Sequence, residues 1–171
     1  MVKKLLHSQR FDSMRGWFAW SLHNLMVANQ DIWVVTGDLG YGVFDTIEQS
    51  FPKRFINVGA AEQAMMGIGV GLALEGKVPV VYSITSFLLY RPFETIRNYV
   101  HNEKIPVKLV GSGRDRDYQH DGFSHWAEED KKILEILSNI EGFWPETKEE
   151  IPPLLREILL NRKPVYLNLR R

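Results

Sequence analysis

Short runs of consecutive apolar residues recur along this chain, and each ends at a glycine or a polar loop before a stretch with helical spacing begins. Ile32-Trp33-Val34-Val35-Thr36 stops at Gly37-Asp38-Leu39-Gly40, and Phe55-Ile56-Asn57-Val58 stops at Gly59. Val78-Pro79-Val80-Val81-Tyr82, Val107-Lys108-Leu109-Val110 and the stretch 165–169 have the same character, with a weaker run over 140–143. Unbroken rather than alternating runs mark strands covered on both faces of a sheet, because neither side then meets water. Between them, apolar residues repeat three and four apart. Phe11, Met14, Phe18, Leu22, Leu25 and Met26 predict a helix over 11–27, and further helices are predicted over 61–74, 87–101, 127–137 and 147–160. Six strands alternating with helices over short links predict an α/β fold: a three-layer parallel sheet with helices on both faces. No linker or repeat interrupts the pattern, so residues 1–171 read as one domain.

Lysine plus arginine equals aspartate plus glutamate, 21 each. That balance argues against a nucleic-acid or anionic-membrane binder, which carries a basic excess. The absence of cysteine excludes disulfides, thiol catalysis and thiolate metal sites. No apolar run approaches the roughly 18 residues of a membrane span, and residues 1–10 lack the apolar middle of a signal peptide. A cytoplasmic location is therefore expected. Five tryptophans and nine phenylalanines in a neutral chain predict exposed Phe, Trp and Met that a partner covers.

Ligand chemistry in parallel sheets gathers at loops after the carboxyl ends of strands, here 37–40, 59–62, 83–87 and 111–125. Glu62 opens a helix after Gly59-Ala60-Ala61. It reads either as a first-turn acid facing the helix dipole or as a functional carboxylate flanked by residues small enough to admit a ligand. Gly67, Gly69 and Gly71 lack the third glycine of a dinucleotide fingerprint, since Leu72 stands there. They also lie past the helix start, so close packing of helix on sheet is the expected reason for them. Phe87, Tyr90 and Phe93 read as core aromatics or as a binding face. Asp121-Gly122-Phe123-Ser124-His125 closes a long loop and places an acid four residues before a histidine. His120, Asp121 and His125 have no fourth ligand at suitable spacing, so no metal site is expected. The alternation Arg114-Asp115-Arg116-Asp117 reads as a solvated loop.

Taken in order, Gly37-Asp38-Leu39, the segment Arg54-Phe55-Ile56-Asn57-Val58-Gly59-Ala60-Ala61-Glu62-Gln63, Gly71-Leu72-Ala73-Leu74-Glu75-Gly76, Phe87, the stretch from Arg91 to Arg97 and Asp121-Gly122-Phe123-Ser124-His125 carry a resemblance. They are similar to the pyrimidine-binding domain of the transketolase family of thiamine diphosphate enzymes, over about residues 15–171. The resemblance implies that Glu62 hydrogen-bonds the cofactor's aminopyrimidine and drives proton removal from its thiazolium carbon. It implies that Phe87 and Tyr90 stack on or line the pyrimidine, with Ile84 where many members have another aromatic. His125 would face the reacting carbon as proton donor or oxyanion partner, Asp121 would read a sugar hydroxyl, and Asp38 would lie at the cleft mouth. Arg15 and Arg171 fall where the family's phosphate-clamping arginines stand. Gly42 and Gly113 replace that clamp's serine and histidine and would open space there, with Arg114 and Arg116 as candidate substitutes.

The family also needs a diphosphate-binding domain that presents Mg²⁺ through a G-D-G…N motif, and this chain has none. The resemblance thus implies a separate diphosphate-binding subunit that holds Mg²⁺, in a heterotetramer. The implied activity is two-carbon ketol transfer between sugars by a split transketolase-like enzyme. The alternatives are another thiamine diphosphate chemistry, acyloin-forming or 2-oxoacid decarboxylating, and a non-catalytic regulatory domain.

Overall fold

Every residue of the strands Lys108–Ser112 (β4) and Val165–Leu169 (β6) is buried, which is why neither alternates in sequence. The computed structural model describes residues 12–171. The other strands are Ile32–Thr36 (β1), Phe55–Asn57 (β2), Val78–Ile84 (β3) and Glu141–Phe143 (β5). All six pair in parallel, in the order β2-β1-β3-β4-β6-β5. β1 and β6 coincide with their apolar runs. β3 and β4 each extend two residues farther, because Ser83 and Ser112 are buried although polar. Lys108 starts β4 in an otherwise apolar setting. Its Nζ donates to Asn161 O, Asn161 Oδ1 and Lys163 O at 2.6–2.9 Å, which satisfies a buried cation with the chain just past the last helix.

Helices cover both faces. On one, Phe18, Leu22 and Met26 of Met14–Ala28 (α1) and Leu155, Ile158 and Leu159 of Ile151–Leu160 (α7) pack on Val34, Val80, Tyr82 and Leu167. On the other, Met65, Met66 and Val70 of Glu62–Leu74 (α3) and Leu134 of Asp130–Ile136 (α6) pack on Val35, Val81, Leu109 and Tyr166. Each such side chain contributes about 1.5–3 kcal/mol on full burial.

The helix boundaries differ from expectation where capping or proline chemistry intervenes. Ser13 Oγ accepts from Gly16 N at 3.1 Å, so α1 starts at Met14; Phe11 and residues 1–10 lie outside the described residues. Thr147 and Glu150 form a capping box before α7, so the expected helix 147–160 begins with a tighter turn, Lys148–Glu150. The expected helix 87–101 is broken. Thr85–Tyr90 (α4) ends before Pro92, which has no N–H to continue it; a single turn, Phe93–Thr95 (α5), then leads into a π-helix, Ile96–Asn102. A six-residue helix, Asp45–Ser50 (α2), was not anticipated.

Two packing expectations need correction. Only Gly69 is required by close approach, since a Cβ there would come within 2.6 Å of Val81 Cγ2, whereas Gly67 and Gly71 face open space. Among the described residues methionine forms no exposed ring: Met14, Met26, Met65 and Met66 are all buried, and the exposed large side chains include Trp20, Tyr41, Tyr99 and Phe123. Among the described residues no helix is long and apolar enough to cross a membrane.

Candidate functional site

At the carboxyl ends of β1 and β2 one side chain fixes two loops. Asn57 Oδ1 accepts from Asp38 N and from Gly59 N, each at 3.0 Å, and so ties the turn after β1 to the turn into α3. The approach is close enough that a Cβ on Gly37 would stand 3.2 Å from Gly59 O. Thr36 Oγ1 donates to Leu39 O and to Tyr82 O, both at 3.0 Å, which locks the same turn to β3. Asp38 is exposed with φ 50, and its Oδ1 accepts from the Tyr41 hydroxyl at 2.5 Å, raising the Tyr41 pKa. Gly59 takes φ +70, and the chain enters α3 with Glu62 as its first residue.

Glu62 is only 3% exposed, unlike an ordinary first-turn acid. It lines a cleft of about 200 Å³ with Asp38, Ser83, Ile84, Phe87 and Arg91. Arg91 Nη1 donates to Glu62 Oε1 at 2.7 Å, and the same guanidinium lies 3.6 Å over the Phe87 ring. Ser83 is buried in the cleft wall, and its hydroxyl has no hydrogen-bond partner. The Arg91 pairing was not anticipated, and Ser83 was expected only as the start of the loop 83–87. Arg91 stands out in the sequence only as the start of a motif, and Ser83 follows an apolar run that closes at Tyr82. A buried carboxylate, an aromatic face and an unsatisfied hydroxyl in one cleft fit a flat, nitrogen-bearing ring, which needs an edge partner and a stacking surface.

The loop from β4 to α6 brings His125 against Phe87 at the edge of this cleft. Its ring meets Phe87 edge-on at 4.8 Å, and its Nδ1 lies 3.0 Å from Ser124 Oγ. Ser86 Oγ donates to Ser124 O at 2.7 Å and holds that loop against α4. Asp121 is exposed in the preceding turn, Gln119–Asp121. Tyr90 points elsewhere: its hydroxyl donates to Glu129 Oε2 at 3.0 Å, and burial, reinforced by that bond, pushes its pKa up to about 12. It is not among the residues lining the cleft.

Arg15 and Arg171 flank a second group of side chains. Burial pushes the Tyr82 pKa up to about 12, partly offset by the nearby Arg15 charge, and Arg15 Nε is itself buried without a partner. Ser112 Oγ lies 2.9 Å from Tyr118 Oη, and the Arg171 guanidinium lies 4.8 Å over the Tyr118 ring. The solvated-loop reading of 114–117 fails for Arg114, which is 3% exposed. Its guanidinium donates to Asn168 Oδ1, Asn168 O, Pro145 O and Glu146 Oε1. Arg116 pairs with Glu128 at 2.9 Å and covers Trp126. Both candidate substitutes for the missing clamp groups are thus engaged elsewhere. Among the described residues no three His, Asp or Glu side chains gather as metal ligands.

The family described as "Transketolase, pyrimidine binding domain" matches residues 13–171. The 6-deoxy-6-sulfo-D-fructose transketolase subunit SqwH of a Clostridium species is 32% identical, over 72% of this chain and 38% of its own length. An apulose-4-phosphate transketolase subunit from Actinobacillus succinogenes is 32% identical, over 71% of this chain and 39% of its own. Among solved structures, "Split gene transketolase, inactive beta4 tetramer" superposes with a TM-score of 0.82 and 30% identity, covering 93% of this chain and 51% of that one. The chain spans less than half the length of the curated relatives it matches. Members of this family use thiamine diphosphate, whose pyrimidine is a ring of the kind the Glu62 cleft fits. A match that begins one residue before α1 and runs past β6 leaves no element of the sheet outside it, and the chain belongs to the transketolase pyrimidine-binding domain family.

Proposed function

We propose that this chain, as one domain over residues 1–171, is the pyrimidine-binding part of a split transketolase-like enzyme that moves a two-carbon ketol unit between sugars. The observation that carries the proposal is the pairing of a buried carboxylate, Glu62, with an aromatic face, Phe87, in one cleft at the strand carboxyl ends. Thiamine diphosphate, when bound, supplies the nucleophilic carbon that adds to a ketose carbonyl. Glu62 holds a proton at the pyrimidine edge, where a carboxylate shielded from water exchanges that proton with the ring rather than with solvent. Phe87 supports the ring's face, and Asp38 borders the mouth of the cleft. Tyr90 contributes from the outside of α4, through Glu129, rather than by stacking. His125, edge-on to Phe87, donates a proton or hydrogen bond to the substrate oxygen. Asp121 reads a sugar hydroxyl, and Arg15 and Arg171 receive an anionic end of the substrate.

In this reading the diphosphate and Mg²⁺ are held by a separate subunit, in keeping with relatives that are themselves subunits of split enzymes. Two relatives are named as transketolase subunits, which supports a partner chain and a sugar substrate. A heterotetramer in the cytoplasm is the assembly proposed. The test is reconstitution: this chain, a diphosphate-domain subunit, thiamine diphosphate and Mg²⁺ give ketol transfer only when all are present. Turnover by this chain alone overturns the split-site reading.

A further inference from the structure

We propose that Arg91 stands in for the pyrimidine ring while the cofactor is absent, and that loading the site requires its displacement. The inference rests on the reading of the Glu62–Phe87 cleft given above. A guanidinium is flat, cationic and able both to stack on an aromatic face and to donate to a carboxylate from its edge. Arg91 does both: Nη1 meets Glu62 Oε1 at 2.7 Å, and the guanidinium carbon lies 3.6 Å over Phe87. Those are the same two partners, edge and face, that a flat heteroaromatic ring would use. A separation of 3.6 Å is van der Waals contact and leaves no layer for a second plane, so Arg91 and the ring exclude each other from Phe87.

The surroundings suit a group that holds and then leaves. Glu62 is 3% exposed, and a buried carboxylate without a partner is strongly unfavourable, so the Arg91 pair offsets that cost. The Arg91 side chain is 46% exposed and has water to move into. It follows the last residue of α4, and Pro92 withholds the N–H that would continue the helix. Arg91 is therefore a positioning residue that keeps Glu62 paired and Phe87 covered until the ring replaces it.

Only the fraction of chains with Arg91 withdrawn is competent to bind, so cofactor affinity is reduced by that fraction. The test measures the dissociation constant and association rate of thiamine diphosphate for the reconstituted complex at saturating Mg²⁺, by calorimetry and stopped-flow tryptophan fluorescence. Arg91→Met removes both the charge that pairs with Glu62 and the plane that stacks on Phe87, and it is expected to tighten binding about tenfold and speed association. Arg91→Lys keeps the ion pair without a plane to stack and is expected to fall between the two. Phe87→Ala is the control and is expected to weaken binding. If Arg91→Met binds no tighter, or Arg91→Lys matches the wild type, while Phe87→Ala weakens binding, the stand-in role is overturned and the cleft reading survives. If neither Phe87→Ala nor Arg91→Met alters binding, the cleft reading itself fails and the stand-in role goes with it.

Discussion

The ring of Tyr118 occupies the space that any side chain on Gly113 would need: a Cβ added there would collide with Tyr118 Cδ2 and Cε2. Gly113 also holds φ +88 at the end of β4, and its N–H donates to Leu169 O at 2.8 Å. The glycine therefore opens no room for substrate, contrary to what its lack of a side chain suggests. It lets Tyr118 lie between the end of β4 and the Arg171 guanidinium.

Gly113→Ala is accordingly expected to destabilise the fold by about 1–3 kcal/mol, from a left-handed backbone and an overpacked ring. Gly113→Ala combined with Tyr118→Ala should relieve the collision and leave the backbone cost, so the two effects should not add. Urea unfolding of the four proteins measures this, and strict additivity contradicts the contact.

Arg114 and Arg116 separate a structural arginine from a surface one. Arg114→Met leaves Asn168 and the Pro145 carbonyl without their shared donor in a buried setting, while Glu146 is exposed and stays solvated, and a loss of about 1–3 kcal/mol is expected. Arg116→Ala removes an exposed pair and should cost less than about 1 kcal/mol. Equal effects on the unfolding midpoint would refute the distinction.

Glu62→Gln tests whether the carboxylate serves chemistry or folding. The amide oxygen still accepts from Arg91, so a Tm change of no more than about 2–4 °C is expected, the shift corresponding to about 1 kcal/mol in a chain this size. Deuterium exchange at the thiazolium carbon in the reconstituted complex should fall by at least about a hundredfold, the usual contribution of a positioned acid-base group. Near-normal exchange in a folded, assembled variant would return Glu62 to its helix-dipole role.

Legibility followed how local each determinant is. β1 and β6 matched their expected extents because runs such as Ile32-Trp33-Val34-Val35-Thr36 carry their own burial signal. The six-residue α2 is too short for periodicity to register, and the break after α4 was signalled only by Pro92, within an otherwise continuous pattern. In the site, Glu62, Phe87 and His125 were readable from motifs, and the fold brings them together. The partners that decide their environment were not. Arg91 reaches Glu62 across 29 positions, Arg114 reaches Asn168 across 54, and Tyr90 turns to Glu129 through the direction of its helix. Such pairings depend on which helix face meets which loop, and no spacing rule encodes them.

The same contacts bear on the substrate. In the resemblance, a serine and a histidine help two arginines hold a terminal phosphate, and here Gly42 and Gly113 take their places. Gly42 does not compensate with its backbone, since its N–H donates to Asp45 Oδ1 at 2.7 Å. Position 113 is filled by Tyr118, Arg114 is consumed by the β6 end, and Arg116 by Glu128. Each hydrogen bond to a charged group is worth about 1.5–3 kcal/mol, so losing two lowers affinity for a short sugar phosphate by about a hundredfold or more. Arg15 and Arg171 lie beside Tyr82 and Tyr118, and in the proposed reading they meet a different anion, a carboxylate or a diphosphate set farther along the substrate. In the reconstituted enzyme, kcat/KM for xylulose 5-phosphate with ribose 5-phosphate should therefore lie at least about a hundredfold below that for nucleotide-linked or carboxylated sugars. Arg171→Ala should reduce kcat/KM for the preferred anionic substrate and leave the Tm within a few degrees, because Arg171 is exposed. Efficient turnover of the two pentose phosphates would show that the partner subunit supplies the clamp.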